Sequence, residues 1–417
     1  GDDNTAIGSS ALNVFTGSDA VAVGAFAADA ATAALRLTAV GKDAAGAVTD
    51  SDDHTAVGYQ ALNSCTTGAQ NTALGASAGY SLTGSSNVMV GMQAGYYAST
   101  VDDCVAIGRN ALLGESGNTD GNSNIAIGSY SLDATTSGTR NVGIGAYSLS
   151  ALTSNHDNVA IGVNALKDAD GGENFNVAIG SYALTTEAGG ADGCVAVGYY
   201  ALKMQNGGSE NTAVGFQAAN ALTNATGGTF IGYNACGAAT VTGDDNTVVG
   251  RNAGYDLTSG YRNVLLGSGA GANVTDNYNN VAIGHNALLA ANTGENYNIA
   301  IGGNALYNET SGADYCVAIG YNAMIGQNAD VKNTGVGGSA LFHNKSGGNN
   351  VALGYSAGYA NVDSYNTWVG HQSGTHTGHA AANTTLGYRA YFSSTFTNGT
   401  CDLNGSTTVT CDSNTDI

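Results

Sequence analysis

Proline is absent from all 417 residues, where an average chain carries about 5%. Because proline lacks an amide hydrogen and interrupts strand ladders, its absence points to a fold in which most amides donate to a neighbouring segment. Charge is scarce too, with Asp, Glu, Lys and Arg making up only 10% of the chain, and a single tryptophan stands against 22 tyrosines. No apolar run approaches the roughly 18 residues a membrane helix needs, so membrane insertion through helices is not expected. Missing proline and the lack of glycine at every third position exclude collagen. The GxSxG elbow, HExxH and phosphate-loop motifs are missing as well. Few acids occupy fixed strand positions where a glycoside-cleaving carboxylate pair would sit, and the chain reads as non-catalytic. Gly1 to Gly8 carry no basic region followed by an apolar stretch, so any export signal is expected to lie outside this sequence.

Glycine, at 63 residues, is abundant, and aliphatic residues recur at regular places, which disordered chains lack. The net charge of −21 repels phosphate backbones and anionic lipid, so nucleic acid is not an expected partner. Such a charge also keeps a large repeat protein soluble.

A block reading NTAIG, NVAIG or CVAIG recurs along the chain, its last glycine falling at Gly8, Gly24, Gly41 and onward to Gly370 and Gly387 in steps of about 17 residues. Three places before that glycine stands Thr, Val or Ile, and directly before it Ile, Val or Leu. Ala or Ser follows three places after it, as at Ala11, Ala61 and Ser131. Spacing of two is the signature of a half-buried strand, and the glycine suits a corner. The Ala-Leu pair after it reads as a second, shorter strand.

One coil of this kind cannot be stable alone. Burying an Ile and a Leu contributes about 1.5 to 3 kcal/mol each, against about 1 to 2 kcal/mol per residue of backbone ordering. Stacking identical coils resolves the deficit. The sequence therefore predicts an all-β parallel β-solenoid, a β-roll of about 23 coils of about 17 residues over 1–390, with a non-repetitive tail or cap at 391–417. At about 4.8 Å per coil a continuous stack would be about 110 Å long. Asparagine four places before the glycine, as at Asn87, Asn158 and Asn350, is expected to form an amide ladder, with Cys104, Cys194 and Cys316 replacing it in three copies. The β-branched pair is expected to face the core. The residue between them would then face outward, yet it is usually Ala and sometimes Met89, Phe230, Val248, Leu265 or Trp368. An apolar outer face suggests packing on a second chain.

Tyrosines are the candidate binding residues. Tyr59, Tyr199, Tyr233, Tyr321, Tyr355 and Tyr388 directly follow the block glycine, and Tyr80, Tyr96, Tyr255 and Tyr359 end AGY variants; aligned rings can stack on sugars or on another fibre, or simply cover coil edges. Cys65, Cys104, Cys194, Cys236 and Cys316 are coils apart and read as small buried apolar residues. Cys401 and Cys411 are spaced to close a disulfide loop in the tail, which fits an extracellular setting. His371, His376 and His379 cluster without a completing ligand, and no metal site is assigned. The pairs Asp2–Asp3, Asp52–Asp53, Asp102–Asp103 and Asp244–Asp245 leave calcium as the one cofactor the sequence keeps open. Sequons stand at Asn224, Asn308 and Asn383.

The blocks at Asn158–Gly162, Asn176–Gly180 and Cys316–Gly320, each followed by Ala three residues on, resemble head repeats of YadA-like trimeric autotransporter adhesins. Thr55–Ser64, TAVGYQALNS, is similar to repeats in tail-fibre proteins of aquatic bacteriophages. The likeness spans the chain to about Arg389. It implies a left-handed β-roll assembled as a homotrimer and displayed outside the cell or on a virion. The familiar adhesin repeat is shorter, and the coiled-coil stalk and membrane anchor of that family are not in this sequence.

Function is accordingly expected to be that of an extracellular, cell-surface or virion structural fibre that binds a surface glycan or receptor. A self-polymerising filament subunit is the alternative, because the first coil has no cap and would either continue a longer chain or dock head-to-tail on another copy. An ice-binding solenoid is the third reading, requiring a flat face of regular threonines.

Overall fold

The structure, a computed structural model, describes residues 2–115, 121–169, 172–186, 189–238, 240–291, 294–308, 314–326, 332–360, 362–375 and 381–390, and the backbone of 400–402 and 408–410. It is an all-β solenoid of parallel strands, with about 17 residues per turn and about 21 turns. Among the described residues no helix is long and apolar enough to cross a membrane.

The chain divides into two units, Gly1–Glu210 and Asn211–Ile417. The first holds β1 (Thr5–Ile7) to β12 (Val195–Val197), and the second begins its series at β13 (Thr212–Val214) and reaches β23 (Thr384–Leu386). Within each unit every three-residue strand pairs in parallel with the next, position for position, as Val159, Ala160 and Ile161 pair with Val177, Ala178 and Ile179. After the repeat, β24 (Thr400–Asp402) and β25 (Thr408–Thr410) form an antiparallel pair. Cys401 lies in β24, but the side chains of that strand and Cys411 lie outside the described residues. The disulfide expected between them therefore falls there too, as do His376 and His379.

One coil shows how the sequence builds the turn. The Val159 amide donates to the Asn176 carbonyl of the following coil (2.8 Å), whereas the Gly162 and Asn164 amides donate back to Ile144 and Ala146 of the preceding one (2.7 and 3.0 Å). Leu166 then donates forward to Ala183 (2.9 Å). Amides thus bond both up and down the stack, which leaves little place for proline. Gly162 has φ +141°, and a Cβ there would meet the Gly180 backbone at 2.6 Å, so only glycine fits this corner. Asn164 and Leu166 adopt φ 56° and 47°. Such left-handed backbone is rare for a bulky residue, and here it is held by the cross-coil hydrogen bonds. Because of it the Ala-Leu segment is a turn and not the second strand the pattern suggested.

The inside and outside of the strand are the reverse of the expectation. In Val177–Ile179 the middle Ala178 is fully buried, while the flanking Val and Ile are half-buried and exposed. Every larger residue at the middle place, including Met89, Phe230, Leu265 and Trp368, is likewise fully buried. Alternation fixes which side chains share a face and says nothing of which face is inside. What settles the matter is room. The middle residue faces the Ala or Ser place and the Leu place of the turns across a thin core: a Cβ at Gly143 would meet Ser131, Ser148 and Leu132 at 2.6, 3.1 and 3.3 Å. Where the middle residue is large, the Leu place holds a smaller residue: Gly95 contacts Met89, and Gly374 contacts Trp368.

The amide ladder forms as expected. The Asn158 backbone and side-chain nitrogens both donate to Asn141 Oδ1 (3.0 and 3.2 Å), and Asn141 repeats the pattern on Asn124 (2.9 and 3.3 Å). Each amide also reaches a loop carbonyl, as Asn141 does Asn155 (2.8 Å). Buried polar groups are thereby satisfied inside the core.

Candidate interaction surfaces

The first surface is the outer face of the strands. Its two columns, the residues one and three places before the corner glycine, are Val, Ile, Leu or Thr in every strand from β1 to β23. Ile107, Ile161, Ile179, Ile231, Ile283 and Leu353 are all exposed. A solvated face would be expected to be polar, so the apolar outer surface inferred from sequence exists, but it is made by the β-branched pair and not by the middle residue. Threonine enters it in runs, as at Thr38, Thr55 and Thr72 in the first unit and Thr212, Thr229 and Thr247 in the second.

Aromatic rings on the turns make the second surface, and each predicted tyrosine is placed there. Tyr59, Tyr199, Tyr233, Tyr321, Tyr355 and Tyr388 are all exposed. Most are engaged by neighbours in the stack. Lys42 lies over the Tyr59 ring at 5.7 Å, Tyr199 sits against Tyr200 with centroids 3.9 Å apart, and Tyr233 stacks on Phe216 at 5.4 Å. His371 lies between Tyr355 and Tyr388, at 5.2 and 5.4 Å. Tyr321 is the exception, for among the described residues no aromatic ring stacks on it. Other rings form further columns that the six-residue set does not include. Tyr80 stacks on Tyr96 at 4.8 Å, and Tyr261, Tyr278, Tyr297 and Tyr315 follow one another at 4.9, 5.4 and 4.8 Å. Their spacing by one coil was the signal available in the sequence.

Acidic residues face the stack rather than one another. The first Asp of three pairs accepts a backbone amide of the preceding coil: Asp52 from Leu35 (2.8 Å), Asp102 from Ser85 (2.7 Å) and Asp244 from Thr226 (2.8 Å). Of the second residues, Asp53 pairs with Arg36 and Asp245 with Arg262, both across coils. Arg140 holds Asp157 in a two-pronged contact of 2.6 and 2.7 Å, and its hydrogen bond keeps the carboxyl below the usual range. Among the described residues no three His, Cys, Asp or Glu side chains converge in a way that would hold a metal ion.

The five cysteines of the repeat are buried and none is disulfide-bonded. Burial pushes the Cys65 and Cys104 thiols up to about 11, a range in which a thiol is unreactive. Cys104 substitutes for asparagine in the ladder: the Asn124 amide donates to its sulfur, and the thiol donates to the Gly121 carbonyl, both at 3.4 Å. His54 holds the same place in an earlier coil. The Asn71 amide donates to its Nδ1 (3.4 Å), and burial lowers its pKa. Of the sequon asparagines, Asn224 is exposed, whereas the Asn383 amide is engaged with Asn366 Oδ1 at 3.1 Å. Compared with known proteins, the chain matches no family model and no curated protein.

Proposed function

We propose that this chain is a non-catalytic structural fibre protein, working outside the cell or on a virion, whose copies associate side by side as a homotrimer through the outer face of the strands. The observation that carries the reading is the outward pair of columns on the strands, one aliphatic throughout and the other Val or Ile interrupted by runs of Thr. Exposed apolar patches on soluble proteins mark interaction sites, and a face repeated in register within each unit suits a partner with the same repeat. The resemblance to adhesin and tail-fibre repeats supports the trimer and the extracellular setting. Aromatic columns on the turns supply the surface-binding role, toward a glycan or receptor.

Light scattering on the purified chain tests association, with an expected mass three times the 41.3 kDa of one chain. Lysine at Ile161 and Ile179 together should lower that mass while strand content by circular dichroism stays unchanged. A wild-type mass of a single chain would sink the reading, and end-to-end filaments by electron microscopy would favour the polymerising alternative. The outward threonine runs favour a second reading, ice binding, which thermal hysteresis would reveal.

A further inference from the structure

We infer that the turn face of the second unit carries a binding site for a neutral sugar ring, centred on Gly303. The inference rests on the surface-binding role proposed above and assigns that role a place and a ligand chemistry. The column directly after the corner glycine reads His285, Gly303, Tyr321 over three successive coils. Glycine at the middle place removes a side chain and opens a cleft of about 480 Å³ lined, around Gly303, by His285, Asn286, Asn304, Tyr307, Tyr321 and Ile325. That volume falls in the range of about 300 to 1,000 Å³ typical of small-molecule sites.

Chemistry at the rim selects the ligand. Tyr321 leans over Gly303, its ring atoms 3.3 and 3.6 Å from where a Cβ would stand. It is 66% exposed, and it alone of the six tyrosines after the corner glycine has neither a stacked ring nor a cation over it among the described residues. An open ring face of this kind takes the apolar face of a pyranose. Beside it stand two amides held at φ 55° and 54° by the turn, Asn286 and Asn304. The Asn304 Nδ2 donates to Asn322 Oδ1 at 3.0 Å, which orients its oxygen as an acceptor. The Asn286 amide makes no side-chain hydrogen bond among the described residues. An amide that both donates and accepts matches sugar hydroxyls. No lysine, arginine or carboxylate lines the cleft, and the chain carries a net charge of −21, so anionic sugars are disfavoured.

Saturation-transfer NMR on the full chain tests this, with galactose, glucose, mannose and N-acetylglucosamine as probes and glucuronate as the anionic control. At least one neutral sugar should show transfer that saturates by the tens-of-millimolar range. Tyr321→Ala should weaken it about tenfold or more, as loss of a ring stack does. Gly303→Ser, which fills the notch with a residue other coils carry at that place, should do the same, while Lys167→Ala, on a first-unit turn away from the aromatic columns, should leave it unchanged. No transfer from any neutral sugar, or transfer that survives both cleft variants, overturns the site. The mass of each variant by light scattering is read on the same samples, so loss of sugar binding with assembly intact is told apart from failure of the fibre reading.

Discussion

Removing one rung of the asparagine ladder should open the stack locally. In Asn141→Ala the buried Asn158 amide loses its acceptor and the Asn155 carbonyl its donor, bonds now of 3.0 and 2.8 Å. Each orphaned buried group costs about 1 to 3 kcal/mol, so the rung should cost about 2 to 6 kcal/mol in all. Repeat arrays open in segments and give no single unfolding energy, which makes native-state hydrogen exchange the right assay. At about 1.4 kcal/mol per tenfold, protection at the Asn158 amide should fall by roughly thirty-fold to twenty-thousand-fold. Cysteine is the informative control. Cys104 accepts the Asn124 amide and donates to Gly121 from the same place, so Asn141→Cys should cost under about 1.5 kcal/mol. Equal losses for Ala and Cys, or unchanged exchange in Asn141→Ala, would refute the ladder as a hydrogen-bonded support.

Neighbouring residues should report the direction of the strand faces. Phe230→Ala empties the core and should cost about 3 to 5 kcal/mol, while Ile231→Ala next to it, exposed in the single chain, should stay within about 1 kcal/mol, both read from hydrogen exchange of the Gly232 amide in the dissociated chain. Acid should loosen the coil around His54. Burial holds its folded pKa below the 6.5 of the free side chain, so as the pH drops below about 6.5 the unfolded state binds the proton first, and stability is lost down through the depressed value. Asparagine at that place should flatten the dependence, read as Asn71 amide exchange between neutral and acidic pH. Thiol reagents at mildly alkaline pH should label Cys65 and Cys104 only after denaturant is added, given thiols pushed up to about 11, and rapid labelling of the native chain would contradict their burial.

The corner glycine and its flanking pattern were enough to locate every strand from Thr5–Ile7 to Thr384–Leu386 and to foresee the parallel register. The ladder at Asn141 and Asn158 was legible for the same reason, since a polar residue recurring once per coil must meet its own copies. Which way the strand faces was not legible from alternation. A different pattern does carry it: Met89, Leu265 and Trp368 each accompany glycine, at Gly95, Gly271 and Gly374, where Ala-bearing coils mostly have leucine. That exchange of volume occurs only across a shared interior. The cleft at Gly303 has no sequence signal, because it depends on a missing side chain and a glycine beside the corner glycine looks like ordinary loop composition. The left-handed backbone at Leu166 had no local sign at all, for leucine does not favour it.

Trp368 takes its room from two glycines, Gly374 of its own coil and Gly358 of the coil before. Coils of the Ala-and-Leu type can be duplicated, deleted or shuffled one at a time, since any copy fits any other. The coil bearing Trp368 cannot travel alone, because set behind a leucine-bearing copy it would collide with that side chain. Changes in gene length are therefore expected to move Gly358 and Trp368 as one inseparable cassette, while most other junctions serve as crossover points.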